Sequence, residues 1–190
     1  LRLKLGLHEI NNLKRLSDAA LSSPMANVLT VPYDKLSGEL LNEAGTTLAK
    51  ARVSLSGRTR GHLEWFPSID VNLTGGSSFS GMTSFKLNRL RPEDFAYEFI
   101  YLSMLNDMGF PVPRHDLVEL ILNGRSVGVY LLVETASPAM FTSQQRLEGA
   151  IVGTDPKKFF FNYPMGATLD MKYFYKPKDA AGDGLDKKAF

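Results

Sequence analysis

The stretch Phe95–Asn106, FAYEFIYLSMLN, holds one charged residue, Glu98, in twelve. At helical spacing Glu98 falls between Leu102 and Leu105 and beside Phe95 and Phe99, while Tyr97, Ile100 and Met104 occupy the opposite face. A helix apolar nearly all round belongs in an interior. An unpaired carboxylate there costs several kcal/mol, about ten times what a pair on a helix surface contributes. Glu98 is therefore expected to be buried against a basic partner, Lys86 first and Arg52 second, since both belong to strands expected beside the helix. Such a carboxylate either forms a plain buried ion pair or positions a lysine that binds phosphate.

Other chemistries find less support. With no cysteine, the chain has no thiol nucleophile, no disulfide and no cysteine-based zinc site. His8, His62 and His115 are far apart and match no metal-binding spacing, so no metal site is expected. No nucleophile elbow or phosphate-binding P-loop motif occurs. Asp155, Asp170, Asp179, Asp183 and Asp186 sit in no recognisable motif. A net charge of +2 gives no electrostatic footprint for nucleic acid or an anionic membrane. RTRGH reads as a solvated basic loop. KKFFFNYP reads as a doubly buried strand or an interface rather than a base-stacking surface. The longest apolar run, around Val127–Val133, is far too short for a membrane span.

The elements that must position Glu98 follow from periodicity. LRLKLGL alternates as a half-buried strand with Leu1, Leu3, Leu5 and Leu7 on one side, and HEINNLKRLSDAAL has helical spacing through Ile10, Leu13, Leu16 and Ala20. VLTVPY reads as a strand with an edge proline. GELLNEAGTTLAKARVSLSG reads as a hairpin turning at Glu43–Gly45, SIDVNL and FKLNRL as short strands, and AIVGT as another. Pro92–Met108 has the strongest helix signals: proline in the first turn, Glu93 and Asp94 against the dipole, and Gly109 at the end. Asn123-Gly124 between DLVELIL and SVGVYLLVE is the strongest hairpin signal. The sum is an α+β fold, an antiparallel sheet with one main packed helix. The chain opens at Leu1 with no signal peptide visible, and reads as a processed or excised piece of a longer product.

Four stretches, in this order, resemble the CotH kinase family of spore-coat protein kinases and their secreted relatives, which have an atypical protein-kinase fold. They are ARVSLSGRTRGHL, GMTSFKLNRLRPEDFAYEF, GFPVPRHDLVELILNGRSVGVYLLVE and, more weakly, KYFYKPKD. The third is the most specific, joining Pro-Arg before a strand, the Asn-Gly hairpin, Gly-Val-Tyr and a terminal Glu. The resemblance implies a kinase-like N-lobe over residues 1–135. It implies a hinge and the start of a second lobe over 136–190, with 180–190 as a mobile tail.

Further implications concern the site. Ser56, Gly57 and Arg58 match the strand end that approaches nucleotide phosphates, Glu98 the helix glutamate, and Glu134 the strand end leading into the hinge beside adenine. Lys86 or Arg52, from an adjacent strand, would have to replace the family's phosphate-binding lysine. Phe66 stands where family members carry a lysine, and Asp70 where they carry an arginine. The family's catalytic and metal-binding aspartates lie in the second lobe. ATP with Mg²⁺ is the implied cofactor, a Ser/Thr-bearing protein the implied substrate or partner, and the outside of a cell or spore the implied location. The chain is thus expected to be part of a protein kinase that is not catalytically competent as it stands. A non-catalytic, pseudokinase-like binding or assembly module of the same family is the alternative, and an unrelated α+β adhesion domain the third.

Overall fold

The computed structural model describes residues 1–22, 34–57, 63, 66–90 and 96–145, together with two strands at 151–154 and 171–175. Alternation in LRLKL turns Leu3 and Leu5 inward along β1 (Arg2–Leu5). Gly6 ends the strand, so Leu7, expected on the same side, instead opens α1 (Leu7–Ser22) and is 75% exposed. That helix buries Leu13, Leu16 and Ala20 at the expected period, and its Ser17 hydroxyl donates to the Leu63 carbonyl at 2.5 Å. The VLTVPY segment lies outside the described residues.

Next come β2 (Leu36–Leu41) and β3 (Thr47–Leu55), joined by a turn at the expected place. The turn is held by Gly45 N–H donating to the Asn42 carbonyl at 3.1 Å and by Thr46 N–H donating to Asn42 Oδ1 at 2.8 Å. Then follow β4 (Ile69–Leu73), β5 (Ser84–Arg89), α2 (Tyr97–Asp107), β6 (His115–Leu122) and β7 (Arg125–Glu134). These elements make one compact unit, Leu1–Thr135. A second unit, Ala136–Phe190, contains α3 (Pro138–Ser143) and the antiparallel pair β8 (Ile151–Thr154) and β9 (Met171–Tyr175).

An antiparallel sheet forms, but it does not stay open. Its order is β1-β2-β3-β4-β5-β7-β6, and a parallel contact between β1 and β6 closes it into a seven-stranded barrel. Inward residues of every strand fill the interior, among them Leu3, Val53, Ile69, Phe85, Leu120 and Leu132. Closure rests on a short seam, Arg2 beside Ile121 and Leu3 beside Leu122, and no local pattern announces so brief a contact between distant strands.

The hairpin residue Asn123 extends that seam. Asn123 and Gly124 both take positive φ (49° and 81°), as a two-residue hairpin turn of the primed type requires. The Asn123 N–H donates to the Leu3 carbonyl at 3.0 Å. Its side chain accepts from Leu5 N–H at 2.9 Å and donates to the Leu5 carbonyl at 2.8 Å. One residue thus makes the turn and continues the ladder where β6 has ended. Asn123→Asp preserves the turn but replaces the donor with an anion facing the Leu5 carbonyl. It is expected to lower stability by about 1–3 kcal/mol in urea denaturation.

The helix departs most from expectation. Its ordered turns run from Tyr97 to Asp107, and residues 91–95, which include the expected start, lie outside the described residues. Gly109 (φ 80°) closes it as expected. Gly109 N–H reaches the Asn106 carbonyl at 2.9 Å and Phe110 N–H the Leu105 carbonyl at 3.0 Å, the paired bonds of a Schellman motif. Yet no residue of α2 is buried. Strand side chains and α1 already fill the barrel, so this apolar helix lies outside it, against β6. There the Phe99 ring meets His115 edge-on at 5.6 Å. His115 Nδ1 donates to the Pro113 carbonyl at 2.8 Å, and Nε2 is hydrogen-bonded to the Ser103 hydroxyl at 3.2 Å.

Candidate functional site

On β3, β4 and β5 the residues that alternate with the core point away from the barrel interior. Cross-strand register aligns Ser54, Asp70, Lys86 and Val133 in one row over β3, β4, β5 and β7. This outer face is not freely solvated, because Ser54 and Ser56 are buried. Just past β3, Ser56 N–H donates to the Ser68 carbonyl at 2.9 Å, and the Ser56 side chain hydrogen-bonds Asp70. Gly57 follows at φ 103°, a backbone that an L-residue adopts only with strain.

Asp70 is the most electrostatically unusual group of the row. Burial pushes its carboxyl up, opposed by the Lys86 charge and by the Ser56 hydrogen bond. Its Oδ1 is buried without a hydrogen-bond partner. A group whose folded-state value is raised favours folding below its unfolded value and loses that contribution as pH rises through the folded value. At neutral pH Asp70 therefore burdens the fold. Asp70→Asn is expected to raise the melting temperature at pH 7, and the gain should vanish near pH 3, where both states hold the proton. A variant less stable than wild type at pH 7 would contradict this.

Glu98 does not behave as expected. It is exposed, and Oε2 accepts from Asn88 Nδ2 at 3.1 Å. Neither proposed base pairs with it: Lys86 lies opposite Asp70, and Arg52 donates to Ser37 Oγ at 2.9 Å. An apolar helix is not thereby an interior one: no residue of α2 is buried, and its carboxylate stays at the surface. With the carboxylate in water, Glu98→Gln should shift stability by no more than about 0.5 kcal/mol. Asn88 is two residues from Lys86 on the same strand, so Glu98 still borders the face that Lys86 occupies.

Glu134 is buried at the end of β7 and is not a solvated strand end. Arg114 grips it with both arms, Nε to Oε2 at 2.8 Å and Nη2 to Oε1 at 2.6 Å. The same guanidinium donates to the carbonyls of Ser80 at 2.7 Å and Gly81 at 3.0 Å. Hydrogen bonding to Glu134 holds the Arg114 value above its usual one, against burial and with the added pull of the Glu134 charge. The pair fastens the 74–83 loop to one end of the barrel. Phe66, at the place expected for lysine, packs against the core, and its carbonyl accepts from the Tyr130 hydroxyl at 2.9 Å. Burial pushes that hydroxyl up to about 12.

Ser56, Gly57 and Lys86 are thus brought to one region, whereas Glu134 is engaged elsewhere and Arg58 lies outside the described residues. Asp70 was not among the expected site residues. Its signal was a carboxylate at an outward position of an alternating strand. Among the described residues no group of three or more His, Asp or Glu side chains could hold a metal ion, and no helix is long and apolar enough to cross a membrane.

No curated protein matches the chain. The family model described as CotH kinase protein matches residues 62–189, which takes in Asp70, Lys86, α2, both strands of the Asn123–Gly124 hairpin and the β8–β9 pair. With two thirds of its length so matched, the chain belongs to the CotH kinase family.

Proposed function

We propose that this chain is the nucleotide-facing portion of a CotH-type protein kinase, which moves the terminal phosphoryl group of ATP to a hydroxyl of a protein substrate. Family membership supports a kinase-related role. The observation that carries the assignment to residues is the unfavourable Asp70 carboxylate beside Lys86 and Ser56. Groups held against their own preference, next to a specific charge, concentrate at functional sites. Lys86 is the phosphate-binding cation in this reading. Asp70 positions it, the task first assigned to Glu98. Ser56 and the backbone at Gly57 approach the phosphates from the strand end.

Phosphoryl transfer also needs metal ions and a carboxylate that orients the incoming hydroxyl. The described residues offer no cluster for the first, so no metal-dependent step is assigned to them. By itself the chain is expected to bind ATP–Mg²⁺ weakly and to transfer nothing. Its place is outside a cell or on a spore surface.

Calorimetric titration with ATP–Mg²⁺ tests the reading. Binding is expected on the order of millimolar for the wild type and at least about tenfold weaker for Lys86→Met. Equal affinities would remove Lys86 from the site, and a labelled Ser/Thr-rich acceptor protein would overturn the claim that transfer needs further parts. The second reading, a non-catalytic assembly module of the same family, draws on the outward apolar face of α2.

A further inference from the structure

The outer face of α2 carries apolar side chains at the spacing of a buried stripe. Ile100, Tyr101, Met104 and Met108 are 49%, 62%, 57% and 68% exposed. On the adjoining outer face of the barrel, Leu117 of β6 and Val129 of β7 are 39% and 51% exposed. The opposite side of the helix rests on the barrel, where Phe99 and Ser103 contact His115, two residues before Leu117. From these exposures the six side chains present apolar surface on the order of 600 Å². That is the upper end of the largest patch on an ordinary monomer, and it approaches the ~800 Å² per partner of a standard interface.

Among the described residues, the charged side chains that α2 and the strand position opposite Val129 contribute are acidic, while Lys86 lies beyond Asn88 at the Glu98 end. Glu98 and Asp107 are the charged residues of α2, and Glu119 lies directly opposite Val129. Positions 100, 101, 104 and 108 follow the three-and-four spacing of a helix seam, whose natural mate is another helix stripe. The geometry points to an interaction surface: α2 with the β6–β7 outer face docks an amphipathic helix of a partner protein, apolar along its seam and flanked by Lys or Arg. A second copy of this chain fits poorly, because antiparallel pairing of two α2 helices would set Glu98 of one near Asp107 of the other. The inference stands apart from the nucleotide site and does not depend on it.

The test uses the whole chain and two fluorescent synthetic helices of about 18 residues, with identical leucine seams flanked by Lys in one and by Glu in the other. Fluorescence anisotropy is expected to show the Lys peptide binding at least about tenfold tighter than its Glu twin. Its affinity should fall as salt is raised, and should drop about tenfold in the double variant Ile100→Ser, Met104→Ser. Unchanged circular dichroism and melting of that variant confirm that only the surface was altered. Equal binding of the two peptides, no binding of either, or a Lys-peptide affinity that ignores the double variant would each overturn the proposal. So would a wild-type dimer in light scattering that the double variant converts to monomer, since the second copy would then be the occupant.

Discussion

Replacing Arg114 by methionine is expected to destabilise the barrel unit by about 3–5 kcal/mol, the largest loss of any single change considered for it. Glu134 is buried, and both its oxygens are bonded to the Arg114 guanidinium. Methionine fills part of the space and its side chain supplies no donor, so the carboxylate keeps only the long contact from the backbone N–H of residue 114, at 3.4 Å, in a poorly solvated place. The carbonyls of Ser80 and Gly81 lose their donors in the same step, which loosens the loop over the barrel end. Charge burial, not the pair's net worth, sets the size. Removing both charged groups in Arg114→Met, Glu134→Leu should therefore recover most of the loss. Urea denaturation followed by circular dichroism reads both variants, with a reduced midpoint at unchanged slope as the expected signature. A single-variant cost under about 1 kcal/mol would mean that water reaches Glu134 freely.

Strand content was legible because alternation is a local signal. Leu3 and Leu5, Val53 and Leu55, and Ile69 and Val71 all turn inward where the pattern puts them. The turn at Glu43–Gly45 and the Asn123–Gly124 hairpin were equally plain, since each depends on residues that tolerate positive φ. Barrel closure was hidden. It depends on β1 meeting β6 over two residue pairs and on an asparagine side chain acting as a strand residue. Nothing within either segment encodes that meeting.

The site was half legible for a related reason. Lys86 stands on the expected strand, but its carboxylate neighbour comes from the next strand rather than from the helix. Helical periodicity ranked Glu98 above Asp70 by assuming burial, and burial is a property of the assembled barrel. Glu134 was expected at a strand end leading into a hinge, whereas it is buried against Arg114, twenty residues away in sequence and visible only as part of a Pro-Arg motif. Composition alone could not say which carboxylate met which base.

The central claim is that Lys86 faces the phosphates of a bound nucleotide. An ATP derivative carrying an acyl group on its terminal phosphate tests this most directly. A lysine amine beside the phosphates attacks the acyl carbonyl, forming an amide and releasing ATP, so the label marks the lysine that touches the triphosphate. Mass spectrometry of the digested protein is expected to find the acyl group on Lys86, at least about tenfold above exposed lysines such as Lys4 and Lys14. Excess ATP–Mg²⁺ should suppress that label, and Asp70→Asn should reduce it by releasing Lys86 from its neighbour. Labelling spread evenly over the surface lysines, or a Lys86 label indifferent to ATP, would contradict the account.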